Sequence, residues 1–193
     1  MTEATRRRLL DAGRRAFARQ GLDGARVEAI AREAGVNKAL INYHFRGKLG
    51  LYRAVLDEEL AAASRELAAV LGSEEDPLRR LGAWPQALAD LLSARPELAP
   101  LLLGERLRGG EHLPGAERGP GEALLVATIA AGAAAGRLRA VEATALQELL
   151  LGALLLAGLG DDRERTAALL AALIQGGLSV DGPQNSGIAD AGG

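Results

Sequence analysis

The sequence predicts an all-α protein in which a three-helix helix-turn-helix module precedes a larger helical bundle, with about nine helices in total. Hydrophobic residues make up 48% of the 193 residues but aromatic residues only 3%, so the core must consist mainly of leucine and alanine. Such a core favours helices over strands. Apolar residues also recur at helical spacing, and glycines stand where these segments end. We expect three regions: residues 1–47, residues 48–178, and a polar, glycine-rich and disordered tail at 179–193.

The first two predicted helices lead into the third and form a helix-turn-helix with it. Thr5–Gln20 carries apolar residues at helical spacing, and Gly21 supplies the stop. After a short loop at Leu22–Ala25, Val27–Ala34 forms a second helix, which Gly35 closes. A short helix, a tight glycine turn and another short helix together predict a helix-turn-helix.

The third helix is the stretch NKALINYHF, in which Asn37 is the predicted cap and Val36 packs on Ile41 as a hydrophobic staple. Ile41 and Phe45 are four residues apart and therefore share the buried face. The outward-facing residues are Lys38, Ala39, Leu40, Asn42, Tyr43 and His44. This mixture of a cation, apolar groups, an amide and a phenol favours a surface that contacts a partner.

The rest of the chain predicts a helical bundle. A long helix begins near Lys48, where Gly50 weakens its first turn, and a later helix is capped by Asp76 and kinked at Pro85. We expect helices over about Lys48–Leu71, Pro77–Leu92, Pro96–Arg108, Glu122–Gly136, Glu142–Leu159 and Arg163–Gln175, the last capped by Asp161 and Asp162. The helix Glu142–Leu159 is apolar almost all round, so it must be covered on several sides.

Charge is divided unevenly along the chain. Through Arg53 there are 12 Lys+Arg and 5 Asp+Glu, net +7, whereas the remaining residues have 11 and 20, net −9. A basic segment of this kind is expected where a protein meets a polyanion, although a solvated basic face explains it equally well.

Several classes of function are disfavoured. The chain has no cysteine and only two histidines, so we expect neither a metal site nor a cofactor. It has no phosphate-binding glycine loop, HExxH motif or nucleophile elbow, which argues against an enzyme. The start of the chain lacks a signal-peptide core, and Leu149–Gly160 is shorter than the roughly 18 to 20 apolar residues that span a bilayer. We therefore expect a cytoplasmic protein with no membrane partner.

Residues 5–56 resemble the DNA-binding domain of the TetR (tetracycline-repressor) family of bacterial transcriptional regulators. The resemblance rests on five groups of residues, which occur in order and without gaps. These are Leu10-Asp11-Ala12 with Phe17-Ala18 and Gly21, Val27-Glu28-Ala29-Ile30-Ala31, Ala34-Gly35-Val36-Asn37-Lys38, Tyr43-His44-Phe45, and Lys48 with Leu51. The remaining chain resembles the family only in helix number, order and hydrophobicity.

The resemblance implies a homodimer whose third helices enter successive major grooves of a palindromic operator in double-stranded DNA. Lys38, Tyr43, His44 and Lys48 fall where the family contacts phosphates, and Ala39, Leu40 and Asn42 where it reaches bases. Three departures leave the operator sequence open. Ala25-Arg26 replaces a capping Ser or Thr, so that Arg26 would bind phosphate as a cation; Leu40 replaces a smaller residue; and Gly47 and Leu49 replace a cap and an acid.

The resemblance also implies an effector pocket and a dimer interface in the C-terminal helices. The pocket candidates are Trp84, Leu88, Leu92, Leu101, Leu102 and His112, for each of which a place in the core is the simpler interpretation. Their aliphatic character indicates an apolar small-molecule effector. The dimer candidates are Leu149, Gly152, Ala153, Leu156, Ala157, Leu169 and Leu173, expected to meet their symmetry mates in a four-helix bundle.

The functional prediction is a transcriptional regulator, namely a repressor released from its operator by an effector. An activator and a regulator without an effector stay open. The alternative from another class is an all-helical scaffold that does not bind DNA in a sequence-specific way.

Overall fold

A computed structural model of the chain describes residues 3–113, 119–158 and 162–180. Within these ranges it contains nine α-helices and no strand, apart from an isolated bridge between Leu138 and Ser179. The helices are α1 (Glu3–Gly24), α2 (Val27–Glu33), α3 (Ala39–Phe45), α4 (Lys48–Leu71), α5 (Pro77–Ala94), α6 (Leu98–Leu107), α7 (Pro120–Ala134), α8 (Ala143–Ala157) and α9 (Arg163–Leu178). The predicted all-α class and helix order are confirmed, and the ends of the helices differ by a few residues.

The helices pack into two compact units. The first unit combines Met1–Arg65 with Leu91–Gly119, and the second combines Glu66–Asp90 with Pro120–Gly193. The packing therefore divides the chain at other places than the predicted boundary after residue 47. The reason is that the first half of α4 and the whole of α6 pack with the N-terminal helices.

The core of the first unit draws on α1 to α4 and on α6. Its side chains that are no more than 1% exposed include Leu9, Phe17, Ile30, Ile41, Leu51 and Leu101. Burial of each such side chain stabilises the fold by about 1.5–3 kcal/mol. Because Leu101 belongs to α6, the helix-turn-helix shares one core with a helix that lies some fifty residues further along the chain.

Gly21 ends the regular part of α1, as predicted, but the chain does not then become a loop. Gly21 takes a left-handed φ of +67° with ψ of 177°, a conformation open to glycine at little cost. One further helical turn follows up to Gly24 and buries Leu22. The predicted loop over Leu22–Ala25 is therefore wrong for residues 22–24, because burial of Leu22 favours a compact turn, whereas Ala25 lies between the helices as predicted.

Two carboxylates are buried in the described part of the first unit, and both have partners. Glu59 is 6% exposed and accepts a hydrogen bond from Nη1 of Arg14 at 2.8 Å, with Nη1 of Arg95 at 3.4 Å. The bond to Glu59 raises the pKa of Arg14. A buried charge is tolerated only when it is paired in this way.

Glu105 of α6 is fully buried and connects three parts of the first unit. The hydroxyl of Tyr52 donates to its Oε1 at 2.8 Å, and the backbone N–H of His112 donates to its Oε2 at 3.0 Å. Burial, together with the hydrogen bond to Glu105, raises the pKa of Tyr52, because the phenol must keep its proton to donate. Glu105 thus connects α4, α6 and the segment after α6.

The second unit begins at the predicted cap of α5. The carboxylate of Asp76 accepts a hydrogen bond from the backbone N–H of Arg79 at 2.9 Å and also pairs with Arg137. These two interactions lower the pKa of Asp76.

Further along α5, which continues through Pro85, the buried Trp84 donates from Nε1 to Oε1 of Gln147 in α8 at 3.1 Å.

The caps of α8 and α9 differ from each other. Glu142 stands before α8, and its carboxylate accepts from the backbone N–H groups of Thr144 and Ala145. Asp162 stands before α9 but makes no capping hydrogen bond with its side chain, so its predicted role is wrong. The other predicted cap, Asp161, and the predicted end of the preceding helix at Leu159 lie outside the described residues.

The structure describes Ser179 and Val180, the first two residues of the predicted tail. The N–H of Arg139 donates to the carbonyl of Leu178 at 2.8 Å, and the N–H of Val180 donates to the carbonyl of Arg137 at 3.1 Å. Ser179 lies between them and is 7% exposed. These backbone hydrogen bonds explain the difference, and residues 181–193 lie outside the described part of the chain.

Gly50 is required by close packing at the start of α4. A Cβ at this position would overlap the backbone carbonyl of Phe45, the last residue of α3. We therefore expect Gly50→Ala to lower the free energy of unfolding by about 3 kcal/mol, since a backbone clash is relieved only if α3 moves. Thermal and urea unfolding measure this change.

Gly24→Ala is the matched control, because its new Cβ would make an ordinary contact of 3.4 Å with Cβ of Gln20. It should unfold like the wild type. Equal stability of Gly50→Ala and Gly24→Ala would mean that α3 and α4 do not approach as closely as described.

Candidate nucleic-acid interface

The third helix has the two faces that its sequence predicts. Ile41 and Phe45 are 0% and 8% exposed and belong to the core of the first unit. Ala39, Asn42 and Tyr43 are exposed, and Tyr43 keeps 80% of its surface in solvent. An exposed tyrosine next to an exposed amide is a surface suited to contact with a partner, since both side chains hydrogen-bond and the ring adds apolar area.

The start of α3 is capped by Asn37, as predicted. Its Oδ1 accepts a hydrogen bond from the backbone N–H of Ala39 at 2.9 Å. Regular helix begins at Ala39, so Asn37 lies one residue before the formal cap position at Lys38. Val36 is half-buried against the same core as Ile41, in agreement with the predicted staple.

Leu40 is not fully outward-facing. It is half-buried and packs against the core of the first unit. The sequence suggested a bare leucine on the outer face, whereas only part of the side chain reaches solvent. The reason is that Leu40 lies one residue, or 100°, from Ile41 at the edge of the buried face, where a long aliphatic side chain can turn inward.

His44 and the two cations before α2 and α3 differ in exposure and in their contacts. The ring of His44 is half-buried and stands edge-on to Tyr43, with ring centroids 4.6 Å apart. Arg26 is exposed at the cap position of α2 and makes no capping hydrogen bond, as its replacement of a hydroxyl residue predicts. Lys38 is 62% exposed, and its Nζ pairs with Oε1 of Glu28 at 3.2 Å.

Lys48 has a structural role that sequence reasoning missed. Its Nζ donates to the backbone carbonyls of Asp23 and Ala25, both at 3.1 Å, and so holds the corner between α1 and α2. An ammonium has three N–H donors, so one is left for a further acceptor. No local pattern signals this role, because the partners lie 25 and 23 residues away.

Two acidic residues and one arginine join the predicted residues at this surface. Glu28 pairs with Lys38, and the carboxylate of Asp23 accepts from Nη2 of Arg108 at 2.9 Å. The Arg108 guanidinium lowers the pKa of Asp23. The sequence carries no signal for the second pair, since its members are 85 residues apart.

The six pocket candidates are divided between the two units. Trp84 and Leu88 belong to the second unit; Leu92, Leu101, Leu102 and His112 belong to the first. The five apolar side chains are at most 5% exposed, and that of His112 is 8% exposed. Nδ1 of His112 lies 3.4 Å from Oε1 of Glu105 but has no hydrogen-bond partner in the described part of the chain. Besides the indole N–H of Trp84, it is the polar group among these candidates.

The dimer candidates lie on α8 and α9, two helices that pack against each other. Leu149 and Leu156 of α8 are each 63% exposed, and Leu169 and Leu173 of α9 are each 60% exposed. Gly152, Ala153 and Ala157 are half-buried on the same helix as the first pair. Four large aliphatic side chains exposed on two adjacent helices are unusual for the surface of a monomer.

Two kinds of site are absent from the described ranges. No group of three or more His, Cys, Asp or Glu residues there is placed to hold a metal ion. In the same ranges, no helix has both the length and the apolar character needed to cross a bilayer.

Comparison with known proteins agrees with the geometry of the N-terminal helices. The family described as "Bacterial regulatory proteins, tetR family" matches residues 9–55. The HTH-type transcriptional repressor SCO4008 of Streptomyces coelicolor is 35% identical over 108 residues, which cover 56% of this chain and 53% of that protein. The chain spans about half the length of the curated relatives that it matches first.

Solved structures extend the match over nearly the whole chain. The fatty acid degradation regulator FadR from Bacillus halodurans has a TM-score of 0.72 at 19% identity, covering 92% of this chain and 97% of that one, and so shares its fold. TetR transcriptional regulator SCO0520 from Streptomyces coelicolor is 31% identical with a TM-score of 0.55, covering 90% of this chain and 98% of that one. The chain belongs to the tetR family of bacterial regulatory proteins.

Proposed function

We propose that this chain is a sequence-specific DNA-binding transcriptional regulator, which acts in the cytoplasm as a repressor and binds a palindromic operator as a homodimer. One observation carries the proposal: α3 exposes Asn42 and Tyr43 while Ile41 and Phe45 anchor its other face in the core. A helix held in this way can enter a major groove without changing its conformation. No enzymatic step belongs to the proposal.

The exposed side chains of α3 suit both kinds of DNA contact. Asn42 can form two hydrogen bonds with an adenine edge, and Ala39 with the exposed part of Leu40 can pack on thymine methyl groups. Tyr43 and His44 can donate to phosphates. Lys38, Lys48 and Arg26 supply positive charge at the start of α3, α4 and α2 respectively.

The test of base reading is the double variant Asn42→Ala, Tyr43→Ala. Fluorescence anisotropy against labelled duplexes, including the region upstream of the gene, should detect tight and selective binding by the wild type. The double variant should bind the selected duplex roughly 10- to 100-fold more weakly, because bidentate base contact contributes about 1–3 kcal/mol.

Gln86→Ala, Asp90→Ala is the matched control, since it removes two exposed polar side chains that bond to each other on α5. It should bind like the wild type. Weak and equal binding of every duplex, unchanged in the Asn42 and Tyr43 variant, would favour an all-helical scaffold over a regulator.

The proposed dimer interface is the strip formed by Leu149, Leu156, Leu169 and Leu173. A second copy would cover these exposed leucines, and the small residues Gly152, Ala153 and Ala157 would allow the helices to approach closely. A dimer also accounts for operator reading, since two copies of α3 must stand about 34 to 36 Å apart to enter successive major grooves.

A charge in this strip should prevent association. We expect the wild type to sediment as a dimer and Leu156→Asp as a monomer with unchanged helical content, since Leu156 is 63% exposed in the single chain. Leu107→Asp is the control, because Leu107 is 82% exposed but lies on α6. A Leu156→Asp variant that still sediments as a dimer would place the interface elsewhere.

We further propose that an apolar small molecule releases the regulator from its operator. The candidate contacts in the first unit are Leu92, Leu101, Leu102 and His112, and those in the second unit are Trp84 and Leu88. Their mainly aliphatic character favours an apolar ligand. An effector shifts the equilibrium only if it binds the operator-free form more tightly.

Screening aliphatic compounds against the operator complex tests this mechanism. An effector should lower operator affinity and change the emission of Trp84, the single tryptophan of the chain. Operator affinity that stays constant across all compounds, with no change in emission, would leave a regulator without an effector.

A further inference from the structure

Asp23 stands between two cations in the first unit. Its backbone carbonyl accepts a hydrogen bond from Nζ of Lys48 at 3.1 Å, and its carboxylate accepts one from Nη2 of Arg108 at 2.9 Å. The first cation opens α4, beside the proposed DNA surface, and the second follows α6. A single residue therefore connects a proposed phosphate contact with the end of α6.

The ammonium of Lys48 is held in place, but not all of its hydrogen-bond donors are used. The carbonyls of Asp23 and Ala25 take two of its three N–H donors. These bonds fix the side chain at the corner of α1 and α2 and leave one donor for an anion. A nearby carboxylate would compete with DNA phosphate for that donor, because both are anionic acceptors.

The carboxylate of Asp23 can compete in this way. It belongs to a residue whose carbonyl already contacts Nζ of Lys48, and its side chain is 87% exposed and therefore free to turn. In the structure this carboxylate is paired with the guanidinium of Arg108. The guanidinium itself is fixed by a bond from Nη1 to the carbonyl of Gly104 at 3.0 Å.

The position of Arg108 depends on how α6 is docked. Leu101 of α6 lies in the core of the first unit and is 1% exposed. The buried Glu105 accepts from the hydroxyl of Tyr52 in α4 at 2.8 Å. Arg108 follows Glu105 by three residues and so reaches Asp23 only when these two contacts hold α6 in place.

We propose that Arg108 is a positioning residue for DNA binding, which keeps the carboxylate of Asp23 away from Lys48 and so leaves the Lys48 ammonium available to a phosphate. The proposal rests on the proposed function, since it needs Lys48 to contact DNA.

The experiment compares wild type, Arg108→Met, and the double variant Arg108→Met, Asp23→Asn. Affinity for a labelled operator duplex and for a duplex of unrelated sequence is measured by anisotropy at several salt concentrations. Loss of one phosphate contact in each subunit, or two per bound dimer, should reduce the magnitude of the slope of log affinity against log salt by about 2 and weaken binding roughly 10- to 100-fold at low salt.

On both duplexes, Arg108→Met should show the shallower slope and the weaker affinity. Asp23→Asn should restore the slope and the affinity in the Arg108→Met background. Arg106→Met is the matched control, since it removes the same charge from an exposed position in the same turn of α6. It should bind more tightly than Arg108→Met. Thermal unfolding of all variants accompanies the titrations, because a merely destabilised protein would not regain its salt slope on losing a second charged residue.

Three outcomes would overturn the inference. An unchanged slope in Arg108→Met would mean that Lys48 does not depend on Arg108. A double variant as weak as Arg108→Met would mean that Arg108 acts on DNA directly or through the fold, and an equal loss in Arg106→Met would indicate an effect of total charge alone. Wild-type protein that binds both duplexes equally would overturn the proposed function, yet the slope and its restoration would still decide the role of Arg108.

Discussion

The arrangement of the first unit depends on the burial of one face of α3. Ile41 and Phe45 lie in the core with side chains from α1, α2, α4 and α6. Because the helix has only seven residues, it is too short to be stable alone and takes its orientation from this packing. Every exposed side chain of α3 is therefore directed by residues that face the other way.

Buried polar contacts add a second constraint to this apolar core. Glu105 is paired with the hydroxyl of Tyr52, and Glu59 with Arg14. Such contacts contribute modestly to net stability, yet leaving one partner unpaired would cost more than the contact contributes. Their main effect is therefore on how α4 and α6 are oriented against α1, and their effect on the stability of the unit is smaller.

The positive charge available to DNA at the proposed surface is smaller than the number of cations suggests, because some cations already have acceptors. Through Arg53 the chain carries net charge +7, but Lys38 pairs with Glu28, and Lys48 donates to two carbonyls. The exposed pair between Lys38 and Glu28 is weak, so phosphate can displace it, and the Lys48 ammonium keeps one N–H donor for phosphate. The acidic residues nearby consequently adjust the strength of DNA binding more than they prevent it.

The sequence by itself determined the helix order, the cap at Asn37 and the opposite faces of Ile41 and Tyr43, because periodicity and capping act within a few residues of the chain. It also identified the family from residues 5–56. Only the tertiary structure decided that Leu40 turns partly inward, that Lys48 holds the corner before α2, and that Asp23 meets Arg108. These contacts join residues 23 to 85 positions apart, or depend on the edge of a packed face. Neither kind leaves a periodic pattern, since long-range contacts are selected by packing and not by spacing along the chain.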